Sequence, residues 1–426
     1  MAVLADAPVT VARTQAAVRR STVRLAFGQA VVSATIPLGA TFGTIEARHL
    51  SHHVSLAGSV VAAQMLAGAA ALVVAGRVSD RHGRRPALAG GFTLLALGAG
   101  VIGAAVAIGS YPMLLGGAIL FGLGAQPALM GRAAAADLYP SALRARGVGL
   151  VASAGVFGAI SGPLLASGAV ALGPAVGVGS HAPPWIAAIP ICLAAAAVIW
   201  SIRPDPKAVA ADLESWWPGM ADPPPEGPAR SRRELLALAP ARRAVLAAVA
   251  AQATMLGVMS VTAAELDRRG ADDLIINLLM SAHFIGMFAL AAPIGLAADR
   301  YGRRAVILVG AVVCAAGAVT TPLTAGSVLV APCFLLLGLG WCGSFVAGTT
   351  ILADVARADE RGRLVSTNDL CVAAAGGVAA LAAGPLLSSV GFVGVGLGAA
   401  CISLTGLVIG AGIRERAPGT YDLERP

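Results

Sequence analysis

Residues 76–85 read GRVSDRHGRR, and residues 295–304 read GLAADRYGRR. Each decapeptide lies between two long apolar runs, and the copies stand 219 residues apart, about half of the 426-residue chain. Repetition at half-chain spacing marks a duplicated bundle. The same step carries Glu46 onto Glu265 and Gln64 onto His283. Asp137 precedes Arg144 by seven positions, as Asp354 precedes Arg361, and Gly162-Pro163 is echoed by Gly384-Pro385 at 222.

Hydrophobic residues make up 57% of the chain and charged ones 12%, with a mean hydropathy of +0.80. No water-soluble domain of this length has that composition. Apolar stretches of about 20 residues suffice to cross about 30 Å of hydrocarbon as helices. Twelve are present, from 25–46 to 390–412. The expected fold is therefore an all-α membrane protein with two six-helix repeats. Its parts are a tail at 1–24, a bundle at 25–202, a linker at 203–243, a second bundle at 244–412 and a tail at 413–426. The linker is rich in proline, with Pro223 to Pro225 in succession, and its Trp216 and Trp217 sit either at the membrane interface or against the bundle.

An even number of spans puts both termini on one side. Of the 30 Lys and Arg, 27 share that side with both decapeptides and the linker; only Arg48, Arg268 and Arg269 fall in loops of the opposite parity. The positive-inside rule makes that side cytoplasmic. The net charge of +8 thus serves topology and attraction to the lipid bilayer, and no basic stripe interleaved with aromatics points to nucleic acid. Residues 1–24 lead into an apolar run too long for a signal-peptide core, so an uncleaved first helix is expected. Lys207 is the only lysine and Ala and Gly dominate, the composition of a GC-rich bacterium, so the membrane expected is the bacterial cytoplasmic one. The six cysteines lie inside apolar runs without a CxxC pair, and no GxxxxGK[ST] sequence is present. Disulfides, a metal, a cofactor and an ATP site are not expected.

Gly76, Asp80, Arg81, Gly83, Arg84 and Arg85 match the pattern Gly-x-Leu-x-Asp-Arg-x-Gly-Arg-Arg/Lys that follows the second helix of major facilitator superfamily transporters. Gly295, Asp299, Arg300, Gly302, Arg303 and Arg304 match it again, with Val78 and Ala297 at the leucine position. The chain resembles that family over residues 25–412. Gly83 and Gly302 supply backbone freedom for a tight turn, and Gly76 and Gly295 let another helix approach. The resemblance implies that the two decapeptides, with Asp137, Arg144, Asp354 and Arg361, hold the cytoplasmic side shut while the outside is open. Asp369, after Ser366, Thr367 and Asn368, favours a helix amino terminus, and the resemblance puts that terminus beside the first decapeptide.

In the fifth span, Gly158 to Pro163 (GAISGP) resembles the helix-kinking motif of drug:proton antiporters, although Ala166-Ser167 replaces the family's closing Gly-Gly. The arginine usual in the fourth span of such antiporters would fall at about Ala118 and is missing. Gly384-Pro385 suggests a kink inherited by both repeats. The resemblance further implies that spans 1, 4, 7 and 10 line a central cavity. There Gln29, Gln126, Gln252 and Trp341 offer polarity without charge. No Lys or Arg falls at mid-depth, so an uncharged or amphipathic organic molecule is the expected substrate.

Ionisable groups within the membrane are suspected of function. His283 falls about 15 Å deep at the helical rise, and is either a proton carrier or a neutral histidine satisfied by an interhelical bond. Glu46 and Glu265 are outer-gate or topology charges. His49, His52 and His53 have no carboxylate or cysteine cluster in sequence to complete a metal site. The resulting expectation is a monomeric secondary transporter, not an enzyme, exporting a small molecule against protons by alternating access. An importer or uniporter of a neutral metabolite is the alternative, with a membrane-embedded enzyme or a transport-dead receptor more remote.

Overall fold

The computed structural model describes residues 7–171, 177, 181–220, 227–326, 328–357, 360–417 and 420–421. Helices α1 (Thr14–Ser51), α2 (Val54–His82), α3 (Arg84–Ile108), α4 (Tyr111–Ala136), α5 (Arg146–Val170) and α6 (Ala182–Trp200) form the first half. The second half opens with α7 (Ala239–Arg268), α8 (Asp273–Tyr301), α9 (Arg303–Thr324) and α10 (Val330–Val355). The last helical stretch, Arg361–Ala411, is two helices joined at Gly391, whose φ of 71° lies in the left-handed region. They are α11 (361–390) and α12 (392–411), which completes twelve spans.

Helix ends differ from the apolar runs. Residues 1–24, expected as a tail, are helical from Ala7, and α7 begins at Ala239 and not near 244. An apolar run marks the hydrocarbon thickness, whereas arginine stems reach toward water and let a helix continue past it. In α1 the regular ladder is interrupted by a fully buried π-helical turn at Gly39–Gly43. Pro37 removes a donor just before it. A Cβ at Gly39 would lie 2.1 Å from Gln64 Oε1, so α2 presses directly on this turn.

Lipid tails are as apolar as leucine, so helix association here rests on close contact between small residues. Gly98 and Gly317, 219 residues apart, show the duplication in packing: a Cβ at either would fall 2.4 Å from the backbone nitrogen of the next helix, at Phe121 and Leu337. The halves meet through α2 against α11, α5 against α8, and α1 against α7. At Gly58 a Cβ would lie 2.0 Å from the Ala380 carbonyl, and at Gly384 it would lie 2.1 Å from that of Ser55. The buried cluster of the second half accordingly takes in Ala40, Ile45, Ala57, Val61 and Ala62 of the first. These residues belong to the end of the bundle away from the decapeptides.

Candidate functional site

Both decapeptides make the same turn. Gly83 has φ 96° and ψ 172°, Gly302 has φ 93° and ψ 148°, and each ends one helix and starts the next. A side chain is strained in this region of backbone space, which is why glycine stands at both positions. The turn leaves the first N–H groups of α3 and α9 open. Asp205 accepts those of Arg84 and Arg85, both at 3.1 Å, and Glu415 accepts those of Arg303 and Arg304 at 3.1 and 2.9 Å. Neither acid was identified from sequence as part of the motif, because each follows the last helix of its half.

The second carboxylate pair also finds its partner in the decapeptides. Arg84 Nε donates to Asp137 at 2.6 Å, and Arg303 Nε lies 3.3 Å from Asp354 while Arg303 also pairs with Asp299 at 2.9 Å. The arginine just after each turning glycine reaches these acids first, while Arg144 contributes charge near Asp137 and Arg361 donates to the Ala353 carbonyl at 3.0 Å. Burial lifts the Asp137 carboxyl above the usual carboxylate range, against the pull of Arg84.

Asp80, Arg81 and Arg300 are exposed; Lys207 bonds the Asp80 carbonyl, and Arg300 lies 5.3 Å over the Tyr301 ring. A Cβ at Gly76 or Gly295 would meet nothing within 4 Å, so the helix approach expected there is absent in this conformation. Asp369 is half-buried and feels the charge of Arg132 of the other half. The kink glycines differ between repeats. Gly162, ahead of Pro163, abuts Ala34 of α1 within its own half, whereas Gly384, ahead of Pro385, abuts Ser55 of the opposite half. Trp217 resolves the linker alternatives: it is 8% exposed, and its Nε1 donates to the Leu138 carbonyl at 3.0 Å, against the bundle.

Charges cross between the halves at the opposite face. Arg48 of α1 bonds Asp267 of α7, and His49 Nε2 lies 3.1 Å from the same carboxylate. His181, at the start of α6, places Nδ1 2.6 Å from Glu46 of α1 and Nε2 3.2 Å from Asp273 of α8. Burial opposes a charge on His181, but hydrogen bonds to Asp273 and Glu46 outweigh it and raise its pKa to about 9. Glu265, the repeat mate of Glu46, is instead neutralised by Arg268 and Arg269 at 2.7 and 2.8 Å. His181 follows a loop, and sequence spacing gave no sign that it would meet Glu46, 135 residues earlier.

Among the cavity candidates, Trp341 Nε1 donates to Gln252 Oε1 at 2.6 Å, joining α10 to α7. The Trp341 indole stacks on Phe345 with centroids 4.7 Å apart and planes 12° from parallel, and Phe288 meets its edge at 6.1 Å. Gln29 donates to Ser33 at 3.1 Å and, among the described residues, its Oε1 has no hydrogen-bond partner, while the half-buried Gln126 lies against Gly68 of α2. His283 is fully buried between α8 and α10: Nδ1 is 2.9 Å from the Phe334 carbonyl, and the ring stacks on Phe334 at 4.3 Å. It makes an interhelical bond through Nδ1, while Nε2 has no hydrogen-bond partner among the described residues.

Two six-helix halves that meet at one face, with duplicated charged turns at the other, make a duplicated membrane bundle of the kind membrane transporters share. The family model of the Major Facilitator Superfamily matches residues 21–264 and 244–425, and the chain belongs to that family. It is 27% identical over 390 residues to the uncharacterised transporter YdeG of Bacillus subtilis (strain 168), covering 91% of this chain and 90% of the relative. In fold it is similar to a D-xylose–proton symporter, with a TM-score of 0.71 at 15% identity over 96% of this chain and 98% of the other. The nucleoside transporter NupG is also similar, with a TM-score of 0.68 at 12% identity over 92% and 99% of the two chains.

Proposed function

We propose that this chain is a monomeric, proton-coupled exporter of a small uncharged or amphipathic organic molecule, seated in a bacterial cytoplasmic membrane with its decapeptides inside. The observation that carries the substrate class is the Gln252–Trp341 pair with its stacked Phe345: hydrogen-bonding capacity and an aromatic face, without a formal charge. An organic phosphate or dicarboxylate would enter such a site without a counter-charge. The placement of 27 of 30 basic residues on the decapeptide side supports the orientation. The ion pairs that cross between halves on the opposite face then seal the outside, which supports loading from the cytoplasm.

The coupled proton is assigned to Asp369, half-buried with Arg132 of the other half nearby, because a carrier needs water from each side in turn. His283 is assigned to packing by its bond to Phe334. Transport of uncharged and charged analogues into inverted and right-side-out vesicles, with and without a pH gradient, tests the reading. Uncharged compounds should compete best, and an acid interior should drive uptake into inverted vesicles. Asp369→Asn should keep exchange and lose gradient-driven accumulation, while His283→Gln keeps both. Best competition by dicarboxylates would reject the substrate class, and loss of coupling in His283→Gln alone would return the proton to that residue.

A further inference from the structure

We propose a zinc site at the face opposite the decapeptides, built from Glu46, His49 and His181 and completed by the second half. Glu46 and His49 stand three positions apart on α1 and so share one side of the helix. His181, from the start of α6, brings a third donor, and one ligand atom from each of the three lies within 4.8 Å of the others. Donor atoms around tetrahedral zinc are separated by about 3.4 Å for bonds of about 2.1 Å, so the cluster must contract slightly. The side chain able to move is His49, 42% exposed at the surface, and its ring already lies nearly parallel to that of His181, with planes 8° apart.

The surroundings suit a divalent ion. A zinc ion would displace the proton that His181 shares with Glu46, and the carboxylates of Glu46, Asp267 and Asp273 and the guanidinium of Arg48 then sum to two negative charges, which the ion cancels. Arg48 also touches His49 Nε2, at 2.7 Å, and its bond to Asp267 offers the place to which it withdraws. Asp273 accepts from His181 Nε2, which leaves Nδ1 directed at Glu46. A carboxylate behind a metal-binding imidazole fixes its tautomer and raises its basicity. Two nitrogens and one carboxylate oxygen favour zinc over magnesium or calcium, which prefer all-oxygen sites.

Asp273 and Asp267 belong to the second half, whereas all three ligands belong to the first. The supporting shell is assembled only when this face is closed. Zinc therefore binds the closed form more tightly than the open one and shifts the population toward it. The site stands whichever substrate is carried, and it does not depend on the assignment of the coupled proton.

Calorimetric titration of the full-length chain in lipid nanodiscs with zinc chloride, beside magnesium and calcium chloride, tests the site. One saturable zinc ion per chain is expected, with no comparable binding of the other two. His49→Ala should weaken zinc by at least about tenfold, and Asp273→Asn, in the other half, by several-fold. His52→Ala with His53→Ala should leave binding intact. Spin labels on the two halves at this face should report a closed distance that zinc makes more populated in the parent and not in His49→Ala. Absence of saturable zinc binding, binding that follows His52 and His53, or binding indifferent to His49→Ala would overturn the proposal. Should Glu46→Gln fail to fold, the exposed His49 and the surface-facing Asp273 still decide the question.

Discussion

Asp205 and Glu415 hold equivalent places in the two halves: each carboxylate accepts two successive backbone N–H groups at the start of the helix that follows a turning glycine. Each comes from the segment just after the last helix of its own half. The decapeptide is thus only part of the repeated unit, which closes on an acid more than a hundred residues further along the chain.

Asp205→Ala should lower thermal stability in detergent, by about 1 kcal/mol on the scale of lost helix caps. Asp205→Asn keeps an acceptor oxygen and should lose less. Thermal unfolding of both variants against the parent checks the order, and equal losses would mean that the charge and not the cap matters.

Asp80 is exposed, and among the described residues its carboxylate has no ion-pair partner, so Asp80→Asn should leave the stability of this conformation nearly unchanged. Its effect belongs to the alternative state, in which the decapeptide face closes. Transport should slow by about five- to tenfold, the scale of a conformational coupling of roughly 1 kcal/mol, while substrate affinity in detergent holds. A parallel loss of affinity would place Asp80 in the binding site and sink its role as a latch.

Trp341→Phe deprives the buried Gln252 oxygen of its donor, and an unpaired buried acceptor costs about 1–3 kcal/mol. Adding Gln252→Leu removes the orphaned group, so the double variant should be more stable than the sum of the single losses. Additive losses in thermal unfolding would show that the hydrogen bond contributes little.

Glu360 is fully buried and accepts both the side chain and the backbone N–H of Arg230, which hold its pKa down to about 2 against an ordinary 4.5. A depressed carboxylate stabilises the fold above its unfolded value, and that contribution is lost as pH falls toward the folded value. The advantage of the parent over Glu360→Gln should therefore be full above about pH 4.5 and shrink steadily between 4.5 and 2. Unfolding followed across that range measures it; a difference that grows with acid would contradict the sign.

The twelve spans and the duplication were legible because hydropathy and a step of close to 219 leave little freedom. Gly391 is instructive: the last apolar stretch could be divided by length, although hydrogen bonding runs through the turn. The glycines at 83 and 302 were equally legible, since only one backbone geometry joins helices so closely. Partners were not. Asp205 and Glu415 met the helix starts after the turning glycines, and His181 met Glu46 and Asp273, because side-chain reach depends on how helices tilt and where a loop returns. For His283 the sequence left a proton carrier and an interhelical bond as alternatives, and the bond to Phe334 is present; position along a helix alone does not tell which side of it faces a neighbour.

The linker divides its attachments. Asp205, Lys207 and Trp217 dock on the first half, whereas Arg230 binds Glu360 of the second. Each half consequently carries its own fastenings, and the bonds described on either side of the stretch between Trp217 and Arg230 do not cross from one half to the other. Two separately translated pieces, cut within that stretch, should therefore keep the bonds described on the decapeptide face, and severance there should lower the effective concentration at which the halves find one another.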